Sequence, residues 1–299
     1  MSSGLSVLIP VYNRAVLPLV QQLVDQADAW DGPVEIICLD DASAPDCQAQ
    51  NRADLGQLAG VRYAELPRNV GRAAIRNQLA GSARHEWLLL LDNDSLLPDA
   101  HFLARYAAAR ATAPVLVGGT TYAPTPPADK ALYLRWLYGR QREARPATIR
   151  QQQPYAQLTI NNLLIQADVF RRFALDETLT RYGHEDTKFG WLLQQSGVPL
   201  WHLDNPVLHE GLEPAAAFLH KTHEAVRNLA QLYQAEGLGA DSNLIRMALR
   251  LRRVGAARLF QVMFEPLQDI TRRRLATDRP KLWLLDLLKL YWLLREWQN

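Results

Sequence analysis

The chain has 299 residues, 48% hydrophobic and 21% charged, which suits one large folded domain or a domain with an appendage and excludes a mainly disordered chain. Its 33 Lys and Arg against 31 Asp and Glu leave a net charge of +2, so no nucleic-acid partner is expected. Cys38 and Cys47 are too few for a disulfide framework or a four-cysteine zinc site, and a reduced, cytoplasmic protein is expected.

Residues 5–10, Leu-Ser-Val-Leu-Ile-Pro, form a short apolar run that predicts a buried strand. Leu19, Leu23 and Ala27 give residues 17–29 helical spacing. A second strand is expected over 34–39, ending at Asp40-Asp41, then a helix over 46–58 and a third strand over 61–66. An Ala-rich helix over 72–81 leads to a fourth strand, Trp87-Leu-Leu-Leu-Leu, which also ends in acids, Asp92-Asn93-Asp94.

Further strands are expected over 114–122, 159–165 and 198–203, the last running towards His209, with helices over 167–173 and 185–196. The basic, Gln-rich stretch 135–154 reads as a mobile loop or an irregular helix. Helical patterns dominate from Pro214 onward. Strands alternating with helices predict an α/β fold with a mainly parallel sheet, and near-continuous apolar strands predict a sheet covered on both faces.

No targeting segment is expected at residues 1–4, which lack a basic start, and the run 5–11 is short and holds Pro10. No stretch reaches the roughly 18 apolar residues of a membrane span. Charge is uneven along the chain. Residues 244–299 carry 12 Lys and Arg against 5 Asp and Glu, and the first 243 carry 21 against 26. That shift marks a composition boundary.

In open α/β sheets ligands bind beyond the carboxyl ends of the strands, where both acidic clusters are expected. Asp92 and Asp94, one residue apart, suit one hard divalent cation such as Mg²⁺ or Mn²⁺, with a diphosphate completing the shell; the other reading is a solvated turn capping the next helix. Asp40-Asp41 suits acceptance from a uracil imide or a ribose hydroxyl, or else a helix cap made with Ser43. Asn69-Val70-Gly71-Arg72 opens a helix whose N-terminus favours an anion, and Arg76 suits a phosphate or one of the acids; the alternative is a surface helix with solvated arginines. Glu185-Asp186 at a helix start is either electrostatic decoration or a general base. His209 is a third metal ligand or a structural histidine. No dinucleotide, P-loop, zincin or serine-hydrolase motif is present, which removes those classes.

In order and spacing, Ile9-Pro10-Val11-Tyr12-Asn13-Arg14, Leu39-Asp40-Asp41-Ala42-Ser43, Asn69-Val70-Gly71-Arg72 with Arg76-Asn77, Leu91-Asp92-Asn93-Asp94 and His184-Glu185-Asp186 resemble family 2 glycosyltransferases of the GT-A type. The resemblance covers roughly residues 5–212. It implies a GT-A, Rossmann-like sheet flanked by helices, with a catalytic domain over 1–225 and a basic helical extension over 226–299. It implies a single inverting displacement that moves a sugar from a nucleotide sugar, UDP-linked, with Mn²⁺ or Mg²⁺. The acceptor would be a glycan or lipid-linked glycan, in polysaccharide or cell-envelope biosynthesis.

By the same resemblance Pro10, Val11 and Tyr12 lie under the base, Asp41 accepts from the uracil with Asp40 close by, and Arg76 sits near the nucleotide. Arg14, Asn69, Asp92 and Asn93 also face the donor. Asp94, with Asp92 and His209, holds the metal. Asp186 is the catalytic base and Glu185 contacts donor or acceptor. The segment Arg181-Tyr182-Gly183-His184-Glu185-Asp186 is similar to the galactosyltransferase Gly-Trp-Gly-x-Glu-Asp motif, with Tyr182 for Trp and Arg181 for the first glycine.

A sugar-phosphate nucleotidyltransferase would need a Gly-rich basic loop after the first strand, which Val11-Tyr12-Asn13-Arg14 is not. A non-catalytic nucleotide-sugar-binding scaffold is the alternative; intact Asp94 and Asp186 count against it. The segments 244–253 and 282–297 mix cations with Leu and Trp at helical spacing. They predict either peripheral contact with the inner face of the cell membrane, or a helical subdomain packed on the catalytic domain or on a second copy in a homodimer.

Overall fold

The computed structural model describes residues 3–179 and 181–298, so the outer limits of the expected domains, residues 1 and 299, lie outside the described residues. Two compact units emerge. The first comprises Met1–Ala123, Glu143–Thr178 and Glu185–Gly211; the second comprises Pro124–Arg142, Leu179–His184 and Leu212–Asn299.

The first unit is built on strands β1 (Leu5–Val11), β2 (Val34–Asp40), β3 (Val61–Glu65), β4 (Trp87–Leu91), β5 (Ser95–Leu96), β6 (Val115–Val117), β7 (Thr120–Thr121), β8 (Asn162–Gln166), β9 (Leu200–His202) and β10 (Val207–His209). A seven-stranded sheet runs β3-β2-β1-β4-β8-β6-β9, and a small sheet runs β5-β10-β7. β1, β2, β3 and β4 are parallel, and β8 is antiparallel to β4 and β6. The structure is therefore an α/β fold with a mainly parallel sheet, as expected.

Burial explains the apolar runs. Leu5, Val7, Ile9 and Val11 of β1 face one core layer with the helices Leu17–Val24, Pro45–Leu55 and Phe102–Ala109. Leu8 faces the other layer, with Arg72–Ser82, Ala167–Phe173 and Glu185–Gln195. A strand that alternates between two covered faces has no polar side to show. Pro10 is tolerated because the β1–β4 ladder ends at Leu8↔Leu90, two residues earlier.

Several elements differ from expectation. The strand over 114–122 is split at Gly118-Gly119 into β6 and β7, which serve different sheets. Gly119 has φ +88°, and a Cβ on Gly118 would collide with the Asn162 amide and the Tyr106 hydroxyl. The helix over 17–29 ends at Val24, followed by a 3-10 turn at Ala27–Ala29. The helix Phe102–Ala109 has no counterpart among the expected elements. Residues 135–154 hold Tyr133–Tyr138, a π-helical turn Gly139–Glu143 and Ala147–Arg150, an irregular helical stretch.

The second unit packs Ala215–Glu236 and Leu282–Glu296 with Asn243–Arg253, Ala257–Phe264 and Gln268–Leu275 around one apolar cluster. Leu285, Leu288, Tyr291, Trp292, Leu293 and Leu294 are all buried, so 282–296 is a core helix. The division expected at residue 225 falls inside the helix Ala215–Glu236, whereas the second unit takes up the chain from Leu212.

Candidate active site

The parallel strands bring Val11, Asp40 and Leu91 to the same edge of the large sheet, and the loops leaving them interlock. The Asn13 amide donates to Ser43 Oγ at 2.8 Å, and Asn13 Oδ1 accepts from the Ala44 amide at 2.7 Å. Ser43 therefore holds the β1 loop, while Ala44 is the N-cap residue of the next helix. Asn51 fixes the far end, accepting from the Val16 amide and donating to Arg14 O. This frame leaves Tyr12 exposed beyond β1.

Asp40 and Asp41 are buried and differ in use. Asp40 accepts from the Ser43 amide at 2.7 Å, the Gln48 amide and the Tyr63 hydroxyl, so it serves the turn. The Asp41 carboxylate accepts from the backbone amides of Val70 and Gly71, at 2.7 and 3.2 Å, and Asn69 Nδ2 donates to Asp41 O. The anion expected at the start of the 72–82 helix is thus Asp41 itself. A carboxylate has about four acceptor positions, so room remains for a further donor.

Arg72 and Arg76 lie one turn apart on that helix and point the same way. Buried Arg76 pairs closely with Asp92. Arg72 donates from Nε to Glu185 at 2.7 Å and lies 3.9 Å from Asp92. The 92–94 turn is further tied down where Asn93 Nδ2 reaches Tyr12 O at 3.4 Å. Asp92 faces these arginines. Among the described residues no three His, Cys, Asp or Glu side chains form a group able to hold a metal.

Asp94 and His209 are brought together by the small sheet, in which Ser95 of β5 pairs with His209 of β10. His209 Nδ1 lies 3.3 Å from Asp94 Oδ1, a buried oxygen. Gly211 is required beside them, because a Cβ there would collide with the Asp94 carboxylate. Arg14 reaches Glu210 at 3.4 Å. Burial pushes the Asp94 carboxyl up, but the hydrogen bond and charge of His209, with Arg14 and Arg72, bring it below the usual carboxylate range.

Glu185 and Asp186 open the helix Glu185–Gln195. Burial raises Glu185, and the charge and hydrogen bond of Arg72 bring it down, to a net position below its ordinary value. Asp186 goes the other way. Burial of its carboxyl and the adjacent Glu185 charge push it up to about 7, against the opposing pull of Arg72, Arg76 and the Ile160 amide. That amide donates to Asp186 Oδ2 at 3.3 Å.

The model of Glycosyl transferase family 2 matches residues 6–176, more than half of the chain. The chain belongs to that family. Three solved structures share the fold of this glycosyltransferase. TarS 1–349 of S. aureus is 16% identical, with 98% of this chain and 90% of that one covered and a TM-score of 0.52. The same protein in complex with UDP-GlcNAc is 15% identical over the same shares, with a TM-score of 0.53. The mannosyltransferase PcManGT of Pyrobaculum calidifontis, in complex with GDP-Man and Mn²⁺, is 14% identical, covers 98% and 86%, and has a TM-score of 0.60. No curated protein sequence matches the chain significantly.

The matched stretch of the enzyme carries Asp41, Arg72, Arg76, Asp92 and Asp94, and stops before Glu185, Asp186 and His209. Arg72 is the residue that sequence reasoning left out of the site. Its signal was present, since it stands four positions before Arg76 on one helix face.

Proposed function

We propose that the enzyme moves a sugar from a UDP-sugar to a hydroxyl of a glycan or lipid-linked glycan, with inversion and with a divalent cation. The observation that carries this reading is the opposed tuning of two aspartates. Asp94 is held ionised beside a histidine, and Asp186 is raised to about 7, where a carboxylate is a competent base at neutral pH. Relatives in fold lend support: TarS has been solved with UDP and with UDP-GlcNAc, and PcManGT with GDP-Man and Mn²⁺.

Tyr12, with Pro10 beside it, supplies the surface on which the base lies, with Asp41, Asn69 and Asn93 at its edge, and buried Val11 supports it from the core. Asp40 acts indirectly, by holding the turn that presents Asp41. Arg76, in its close pair with Asp92, orients that carboxylate towards the donor. Asp94 and His209 offer the oxygen and nitrogen that would hold Mn²⁺ or Mg²⁺. When bound, the cation supplies positive charge to the departing diphosphate.

Asp186 takes the proton of the acceptor hydroxyl. The hydroxyl oxygen bonds to the anomeric carbon as the bond from that carbon to the diphosphate oxygen breaks, and UDP leaves. Glu185, locked on Arg72, contributes a fixed negative charge that keeps Asp186 basic. A thermal-shift screen of UDP, GDP, CMP and dTDP sugars, with and without Mn²⁺, tests the reading, because ligands of the native state raise the melting temperature. A Mn²⁺-dependent shift with a UDP-sugar is expected. A shift only with a GDP-sugar would overturn the uracil assignment.

A further inference from the structure

The 282–296 helix, expected either at a membrane or in a packed helical subdomain, is core, yet the second unit shows an unusual surface elsewhere. The segment 257–275 runs as helix Ala257–Phe264, a 3-10 turn Glu265–Leu267 and helix Gln268–Leu275. Phe264, Thr271 and Leu275 point into the core. On the opposite side Leu259, Val262, Met263, Leu267 and Ile270 recur every three or four residues and are 47–64% exposed. A solvent-facing apolar stripe of this kind marks an interaction surface.

The stripe runs into cations. Arg273 and Arg274 continue its spacing, and with Ile270, Arg279, Lys281 and Trp283 they line an open cavity of about 940 Å³. Trp283, 58% exposed, stands at its edge. Among the described residues none of these four cations has an ion-pair partner. The neighbouring acids Glu265 and Asp278 are already paired, with Arg295 at 3.2 Å and Lys130 at 3.3 Å. Among the described residues of 257–284, Asp269 is the remaining acid.

We propose that this face docks on an anionic phospholipid bilayer, with the 259–270 stripe in the headgroup–acyl boundary and lipid phosphates in the cavity of Arg273, Arg274, Arg279 and Lys281. Charge decides the occupant. Unpaired cations beside exposed Leu, Met and Trp complement an acidic lipid surface. A second copy would instead set one strongly basic 244–299 region against another. The inference is independent of the donor and acceptor assigned above.

The full chain is floated with vesicles of phosphatidylcholine alone and of phosphatidylcholine mixed with phosphatidylglycerol. Binding is expected on the mixed vesicles only, and added salt should release it. Arg273→Gln with Arg274→Gln should weaken it about 30-fold, from two cations lost near the surface. Leu259→Ser with Met263→Ser should weaken it comparably. All four side chains are exposed, so the melting temperature should hold in both variants. The proposal is overturned by no binding to either vesicle, by equal binding to both, or by binding that ignores both variants. Self-association in analytical ultracentrifugation that Leu259→Ser with Met263→Ser abolishes, without vesicle binding, assigns the face to a second copy and overturns it too.

Discussion

The turn after β4 and the start of the 185–195 helix each present two acids, and each spends the first on an arginine. Asp92 goes to Arg76 and Glu185 goes to Arg72. The second acid of each pair is then tuned by what remains. Asp94 sits against a histidine and within reach of two guanidinium charges, and is held below the usual range. Asp186 has a fixed negative neighbour and little water, and rises to about 7. One residue type thus acquires two chemistries from environment alone. An ionised carboxylate suits a cation, and a half-protonated one suits proton transfer.

The largest way to break this contrast is Asp186→Asn. Transfer should fall by about 10² to 10⁴, the usual worth of a general base, while donor binding by calorimetry stays at the parental level. The same variant should melt higher at mildly alkaline pH. Asp186 has its pKa raised in the folded state, so the fold loses stability as pH climbs from the ordinary carboxylate range through about 7, and Asn has no proton to lose. Transfer at the parental rate would remove Asp186 from the mechanism.

Next in size is Asp94→Asn. Mn²⁺-dependent UDP affinity should drop at least about tenfold, the scale on which even outer partners of metal ligands count. Metal-free UDP binding should be unchanged. If the variant keeps its Mn²⁺ dependence, the cation lies elsewhere.

The smallest effect sharpens the comparison by moving one side of it. In the parental enzyme kcat/KM should fall about tenfold per pH unit below about 7, as the base is protonated. Arg72→Gln removes a charge that lowers Asp186, so this acid limb should move to higher pH, with about a twofold loss at neutrality. A pH profile superimposable on the parental one would show that Arg72 does not tune the base.

The parallel core was legible because β1, β2 and β4 are buried on both faces and read as unbroken apolar runs, with acids where they emerge. The Gly118-Gly119 break was not, since its cause is the crowding of Asn162 and Tyr106, far away in sequence. β5 and β10 are two and three residues long, too short for periodicity to register. The acidic positions of the site were readable from order and spacing. What each acid faces was not, because Arg76, Arg72 and His209 reach it across the fold. The 282–296 segment left two readings open, and its burial settles them: Leu, Tyr and Trp occupy most of its circumference, the mark of a core helix.

The Arg72–Glu185 pair joins residues 113 positions apart. At ribosomal speed the second partner emerges roughly 10 s after the first. Until then the nascent chain has Asp41, Arg72, Arg76 and Asp92 but neither Asp186 nor His209. The site proposed above is therefore completed late in synthesis, as a property of the nearly finished chain.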